Sequence, residues 1–364
     1  MSKITSIATA TPAYAHSQDE LFQFADGVFC KDAVDSRKLR FLYRQSGIET
    51  RYSVLPDFNK EVIAERHMFP PSQDLEPFPS LEKRMAIYDE NAATLSIKAI
   101  EDCIAGRLHK SEITHLITVS CTGMSAPGLD LQILEAMELP STLNRTSVNF
   151  MGCYAAIHGL KIADAFCKSQ PNANVIVVCT ELCTLHFQKE ATADNIMSSL
   201  LFADGSAAML IQADEHRGLR LENFYSEIAL KGKKDMSWQL SGTGFLMTLT
   251  GYVPDLVRSD FNSLVNNAMV ASGRRANDVT HYCIHPGGKK ILEAIEESLQ
   301  LDKDDFKHSY EVLRKFGNMS SASIVFVLKN ILDEIKETGQ SSATIFGAAF
   351  GPGLTMETFL ATYE

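Results

Sequence analysis

Glu112-Ile113-Thr114-His115 opens an apolar run over 116–119, and Asp278-Val279-Thr280-His281 opens another over 282–284. From His115 to His281 the offset is 281 minus 115, or 166, and one four-residue match of this kind is weak. A second match follows in the same order. Phe150-Met151-Gly152-Cys153 leads into apolar residues at helical spacing (Ile157, Leu160, Ile162, Phe166), and Phe316-Gly317-Asn318 leads into Ile324, Val327, Leu328 and Ile331. Pairing Gly152 with Gly317 gives an offset of 317 minus 152, or 165. The strand-like runs 175–179 and 343–346 make a third pair at a similar displacement. Three pairs at one spacing predict a chain of two related halves.

Each half reads as helix, strand, loop, helix, strand. Residues 91–105 carry apolar side chains at helical spacing before the first strand, and 261–272 do so before its counterpart. Continuous apolar strands alternating with helices predict an α/β protein whose mixed or parallel sheets are covered on both faces. The boundary is expected in the polar stretch 214–218, giving an N-terminal half 1–216 and a C-terminal half 217–364. No Pro/Ser-rich linker separates them, so the halves are expected to share one body.

The composition agrees with a globular protein: 364 residues, 45% hydrophobic and 22% charged, supply enough apolar surface for a large core. A net charge of −11 argues against nucleic acid or an anionic membrane as the main partner, because long-range attraction to a polyanion needs the opposite sign. One segment runs against that balance. Residues 36–51 hold Arg37, Lys38, Arg40, Arg44 and Arg51 against Glu49, a patch able to dock a small polyanion or simply to face water. The first fifteen residues lack a basic start followed by an apolar run, and no stretch is long enough to span a bilayer. Eight cysteines scattered through a long chain read as reduced thiols of a cytoplasmic protein. Cys179 and Cys183 have no second ligand pair at metal-site spacing, so no metal is expected.

Three residues stand where chemistry is possible. Cys153 follows a glycine and begins a helical pattern, where unpaired N–H groups and the helix dipole favour a thiolate. A small buried hydrophobe is the plainer alternative. His285 ends an apolar strand before Pro286-Gly287-Gly288, whose small bulk leaves open space at the carboxyl end of the strand, where α/β sheets collect ligands. Asn318 stands opposite Cys153 in the duplication, at the start of the matching helix; an ordinary helix cap is its alternative role. The duplicated frame converges all three on one centre.

Gly152-Cys153, His285-Pro286-Gly287-Gly288, the run from Gly317-Asn318-Met319-Ser320 through Ser321-Ala322, and Phe350-Gly351-Pro352-Gly353-Leu354 together resemble the type III polyketide synthases, the chalcone-synthase-like group. The resemblance runs from about Thr5 to the C-terminus. It implies a thiolase fold with a layered αβαβα arrangement, no cofactor, and a homodimer with residues 122–127 at the subunit interface. The substrates it implies are malonyl-CoA and an acyl-CoA starter. Cys153 would carry the starter as a thioester, and His285 and Asn318 would donate hydrogen bonds to the enolate formed when malonyl-CoA loses carbon dioxide. Phe202 matches the aromatic gatekeeper; Cys121, Thr122, Cys183, His186, Met247 and Ser320 fall at cavity positions, and Gly287 and Gly288 at the CoA contacts.

Two departures stand out. Lys38 fits one position of the basic trio that precedes Ser46-Gly47-Ile48 in the plant enzymes, but Phe41 and Gln45 occupy the others, leaving Arg40 and Arg44 as substitutes. The segment 236–245 is similar to the bacterial branch, which points away from chalcone formation. A β-ketoacyl synthase of the initiating type shares the triad but usually has Asn two residues after its His, where this chain has Gly287. A papain-like peptidase also orders Cys, His and Asn, yet here the Cys lies mid-chain and no Trp follows it.

Overall fold

The computed structural model describes residues 2–59, 66–72, 74–213 and 218–364. The expected boundary after residue 216 lies outside the described residues. Nine strands form one sheet in the order His281–Ile284, Ala343–Gly351, Thr355–Tyr363, Leu219–Ile228, Ser2–Ala10, Asp204–Ala213, Val175–Leu182, His115–Ser120, Asn144–Asn149. The duplication is written in the pairing. His115–Ser120 pairs parallel with Val175–Leu182, as His281–Ile284 pairs parallel with Ala343–Gly351. Each second strand then pairs antiparallel with Asp204–Ala213 or Thr355–Tyr363, and these pair antiparallel with Ser2–Ala10 or Leu219–Ile228. The two wings join through Lys3 opposite Arg220 and Ile4 opposite Leu219. Among the described residues, the second wing has no counterpart of the edge strand Asn144–Asn149.

Helices Ala155–Ser169 and Ser321–Glu337 form the middle layer, touching each other and strands of both wings. Their position explains their composition. Eleven residues of Ser321–Glu337, from Ser321 to Ile335, are buried, because a helix with protein on every side gains from apolar residues all round. Gly159 permits the close approach of the first: a Cβ there would fall 2.8 Å from Val177 Cγ1. The outer helix Leu81–Ile104 instead buries one stripe, Tyr88, Ala92, Leu95 and Ala99, and leaves Glu90, Lys98 and Glu101 exposed. It begins ten residues before the apolar spacing at Asn91, because its first turns carry Glu82, Lys83, Arg84, Asp89 and Glu90 and hide the pattern; Ser80 caps it by accepting from Lys83 N at 3.3 Å. No helix of the described residues is long and apolar enough to cross a membrane.

Candidate active site

Three chain segments meet beside the middle layer. Cys153 follows the strand Asn144–Asn149 through a turn with Phe150 at φ 58° and Gly152 at φ 84°. A Cβ on Gly152 would lie 2.1 Å from Pro352 Cδ, so the Phe350-to-Leu354 motif packs directly against the residue preceding Cys153. His285 leaves the strand His281–Ile284 with its N–H donated to the Ala348 carbonyl at 2.9 Å. Asn318 lies between the helices Lys307–Phe316 and Ser321–Glu337. Its backbone brackets Phe202, donating to Leu201 O and accepting from Ala203 N, both at 2.9 Å. The Asn318 side chain donates to the Gly287 carbonyl at 3.3 Å and accepts from Ser320 N at 2.9 Å, so Asn318 ties Phe202 to the His285 turn. Ser320 has φ 47° and ψ −127°, a conformation that costs a non-glycine residue about 1–3 kcal/mol and that concentrates at functional sites.

Burial sets the resting charge of this centre. Cys153 lies two residues before the helix Ala155–Ser169, and burial pushes its thiol up to about 12, although the Ser320 and Asn318 side chains favour the thiolate by hydrogen bonding. The sequence reading expected the helix end to favour a thiolate; desolvation outweighs it. Burial likewise pushes His285 down to about 3, and neither ring nitrogen has a hydrogen-bond partner among the described residues. The pair therefore rests as a neutral thiol and a neutral imidazole.

Glu181 was not singled out by the sequence reading, yet it organises the surroundings. It sits in the fully buried strand Val175–Leu182, and a carboxylate in such a run was the available signal. Its Oε2 accepts from Cys121 N and Thr122 Oγ1, both at 2.9 Å, and its Oε1 from Ser321 Oγ at 2.5 Å. Burial still raises it to about 6. Cys121 Sγ accepts from Gly152 N at 3.0 Å, which places that thiol behind the Cys153 turn.

Cys183, His186, Phe202 and Met247 line one narrow cavity with a free volume of about 50 Å³, together with Trp238 and Phe245. His186 donates from Nε2 to the Thr122 carbonyl at 2.7 Å and accepts at Nδ1 from Phe245 N at 3.1 Å, which fixes a neutral tautomer; burial pushes it down to about 3. Its ring stacks on Phe245 at 4.1 Å, and Trp238 Nε1 donates to the Cys121 carbonyl at 2.7 Å. Cys121 and Thr122 thus stand behind the cavity wall.

Lys38, Arg40 and Arg44 are exposed on the helix Ala33–Gln45. At about 100° per residue they do not share a face. Arg40 lies over the Phe22 ring at 4.6 Å and borders a groove with Arg44, Gln18 and Glu49, whereas Lys38 shares its face with Phe41, itself 62% exposed. Gly288, at φ 157°, begins the helix Lys289–Leu299, and Lys289 packs against Gly47 at the end of the basic helix. Arg51 departs from the expected basic face: it is buried, and its Nη1 donates to the Phe202 carbonyl at 2.6 Å.

Comparisons with known proteins agree with this architecture. The family models for chalcone and stilbene synthases match at residues 1–215 (N-terminal domain) and 222–362 (C-terminal domain). The chain is 28% identical to the α-pyrone synthesis polyketide synthase-like Pks18 of Mycobacterium tuberculosis over 98% of this chain and 90% of that protein. It is 29% identical to a probable polyketide synthase 1 of Dictyostelium discoideum over 97% of this chain but only 11% of that longer protein. The crystal structure of 1,3,6,8-tetrahydroxynaphthalene synthase from Streptomyces coelicolor superposes with a TM-score of 0.87 at 26% identity, covering 100% of this chain and 99% of that one. With both family models spanning nearly the whole length of a duplicated thiolase fold, the chain belongs to the chalcone and stilbene synthase family and is a type III polyketide synthase, a transferase that works by decarboxylative condensation.

Proposed function

We propose that the enzyme loads an acyl-CoA starter on Cys153, extends it with malonyl-CoA, and cyclises the product to a pyrone, resorcinol or other small aromatic polyketide. The observation that carries the reading is the Asn318 amide, anchored on the Gly287 carbonyl beside the Cys153 sulfur. Neutral His285 takes the thiol proton as sulfur attacks the starter, and CoA leaves as its thiol. Malonyl-CoA then loses carbon dioxide; Asn318 Nδ2 and a ring N–H of His285 donate to the enolate oxygen. The enolate carbon attacks the Cys153 thioester, releasing the sulfur and lengthening the chain by two carbons. Phe202 stands between this centre and the entering CoA arm.

The buried imidazole sets the pH dependence. A depressed histidine value keeps the base form down to about pH 3, so single-turnover loading should hold from neutral pH to about pH 4 and fall only below that. A fall centred near pH 6.5 that persists in Glu181→Gln would mean that His285 titrates as a free imidazole, whereas one that this substitution removes would belong to Glu181, which burial raises to about 6.

Arg40 and Arg44, with Lys38 on the far side of the same helix, are the proposed contacts for the CoA phosphates. Replacing Arg44 with alanine should raise the KM for malonyl-CoA with little change in kcat, because such contacts bind substrate and transition state alike. The effect should shrink with added salt, since exposed charges are screened over about 8–10 Å near 0.10–0.15 M ionic strength. Product analysis by mass spectrometry with malonyl-CoA and with malonyl-carrier protein tests the whole reading: a strong preference for the carrier protein would favour a β-ketoacyl synthase. The active species is proposed to be a homodimer through residues 122–127, and sedimentation as a fully active monomer at micromolar concentration would refute it.

A further inference from the structure

The cavity lined by Cys183, His186, Phe202 and Met247 carries a polar cluster that the chemistry above leaves unused. Arg51 is 4% exposed, yet it lines this cavity together with Tyr43, Ser198 and Ser199. Its Nε donates to Gln18 Oε1 at 3.1 Å and its Nη1 to the Phe202 carbonyl, while Nη2 makes no hydrogen bond of normal geometry among the described residues. The Ser198 hydroxyl is shielded from solvent and has none either. The Tyr43 hydroxyl, 3.1 Å from Ser199 Oγ, stands beside the guanidinium.

A buried guanidinium calls for an anion, and the described residues supply no free one here. The acid that acts on Arg51 is Asp204, but its Oδ1 accepts from Thr184 N, and its Oδ2 from Val54 N and Thr184 Oγ1. A cation withdrawn from water is costly until a hydrogen-bonded counter-charge joins it. The rest of the wall is largely apolar, with Phe24, Phe58, Phe187 and Phe245. The matching ligand has an apolar body and an anionic end. A carboxylate is favoured over a ketone oxygen, because charge-assisted hydrogen bonds are roughly twice as strong as neutral ones. The carboxylate of malonyl-CoA is a poor candidate: it must leave as carbon dioxide, and a cation holding it would stabilise the ground state and oppose its loss. The end of the starter remains. It reaches this cavity past Phe202, a lining residue whose neighbours Leu201 and Ala203 are bonded to the Asn318 backbone.

We propose that Arg51 and Ser198 form a carboxylate-binding subsite in the acyl cavity, which makes the preferred starter a short dicarboxylic acid monothioester. The inference rests on the loading of Cys153 proposed above, and its test separates the two. Loading and extension are measured with glutaryl-CoA and hexanoyl-CoA, whose acyl chains have similar lengths. The parent enzyme should favour glutaryl-CoA in kcat/KM by about 10–100-fold, the range expected for a hydrogen bond to a charged group. Ser198→Ala should lower that glutaryl-to-hexanoyl ratio by about 3–10-fold, as for a neutral donor. Its hydroxyl bonds to no described residue, so folding should not obscure the result. Arg51→Lys keeps the charge but loses the planar fork and should lower the ratio further. Preference for hexanoyl-CoA in the parent, or a ratio that neither substitution moves, overturns the subsite while leaving the loading of Cys153 in place. Failure to load either thioester overturns both.

Discussion

Cys153→Ala should abolish transfer of a labelled acyl group from CoA to the protein while leaving the fold close to that of the parent. The acyl intermediate needs a sulfur at the meeting point of the three segments, and the neighbouring thiols are poor substitutes. Cys121 and Cys183 are both buried and pushed well above the ordinary thiol range, and Cys121 Sγ is already engaged by Gly152 N. Cys153 is half-buried and belongs to a turn, so losing its sulfur should cost about 1 kcal/mol, a shift of roughly 1–2 °C in Tm for a protein of this size. Label retained at the parental level would sink the assignment, and label recovered on the Cys121 or Cys183 peptide would move the nucleophile there.

The second large effect separates loading from decarboxylation. Asn318→Ala should still accept a starter on Cys153, but its release of carbon dioxide from malonyl-CoA should fall by about 100–1000-fold, the usual consequence of removing one preorganised donor to an oxyanion. The side chain also holds the Gly287 carbonyl and the Ser320 N–H, so the variant should lose about 1–3 kcal/mol of stability. Carbon dioxide release measured without a starter, beside a thermal melt, distinguishes the two roles. Unchanged release with a lowered Tm would assign Asn318 to holding the turn alone.

Much of the fold was legible because the duplication repeats both periodicity and order. His115 and His281, Cys153 and Asn318, and the runs 175–179 and 343–346 lie in strands and before helices that correspond in the pairing of the two wings. The first half of the helix Leu81–Ile104 was not legible, because charged residues on an outer face mask an apolar stripe. Arg51 falls in a basic segment that reads as able to dock a small polyanion or to face water, and its inward turn is hidden for the same reason in reverse. A one-dimensional count of charge cannot tell which arginine of a cluster turns inward, and only the neighbouring Phe202 carbonyl and Gln18 side chain show that this one does.

By itself the sequence determined that the chain is a two-fold repeat of alternating helix and strand, with Cys153, His285 and Asn318 at matching element ends. Those conclusions rest on local spacing, which survives in one dimension. The tertiary structure decided the charge states and the company of those residues. Burial at the junction keeps Cys153 a thiol and His285 neutral, Glu181 gathers Cys121, Thr122 and Ser321, and Arg51, in the strand Thr50–Ser53 beyond the basic helix, lines the cavity. Each depends on groups distant in sequence that exclude water from the same small volume, and desolvation is a property of that volume rather than of any segment of the chain.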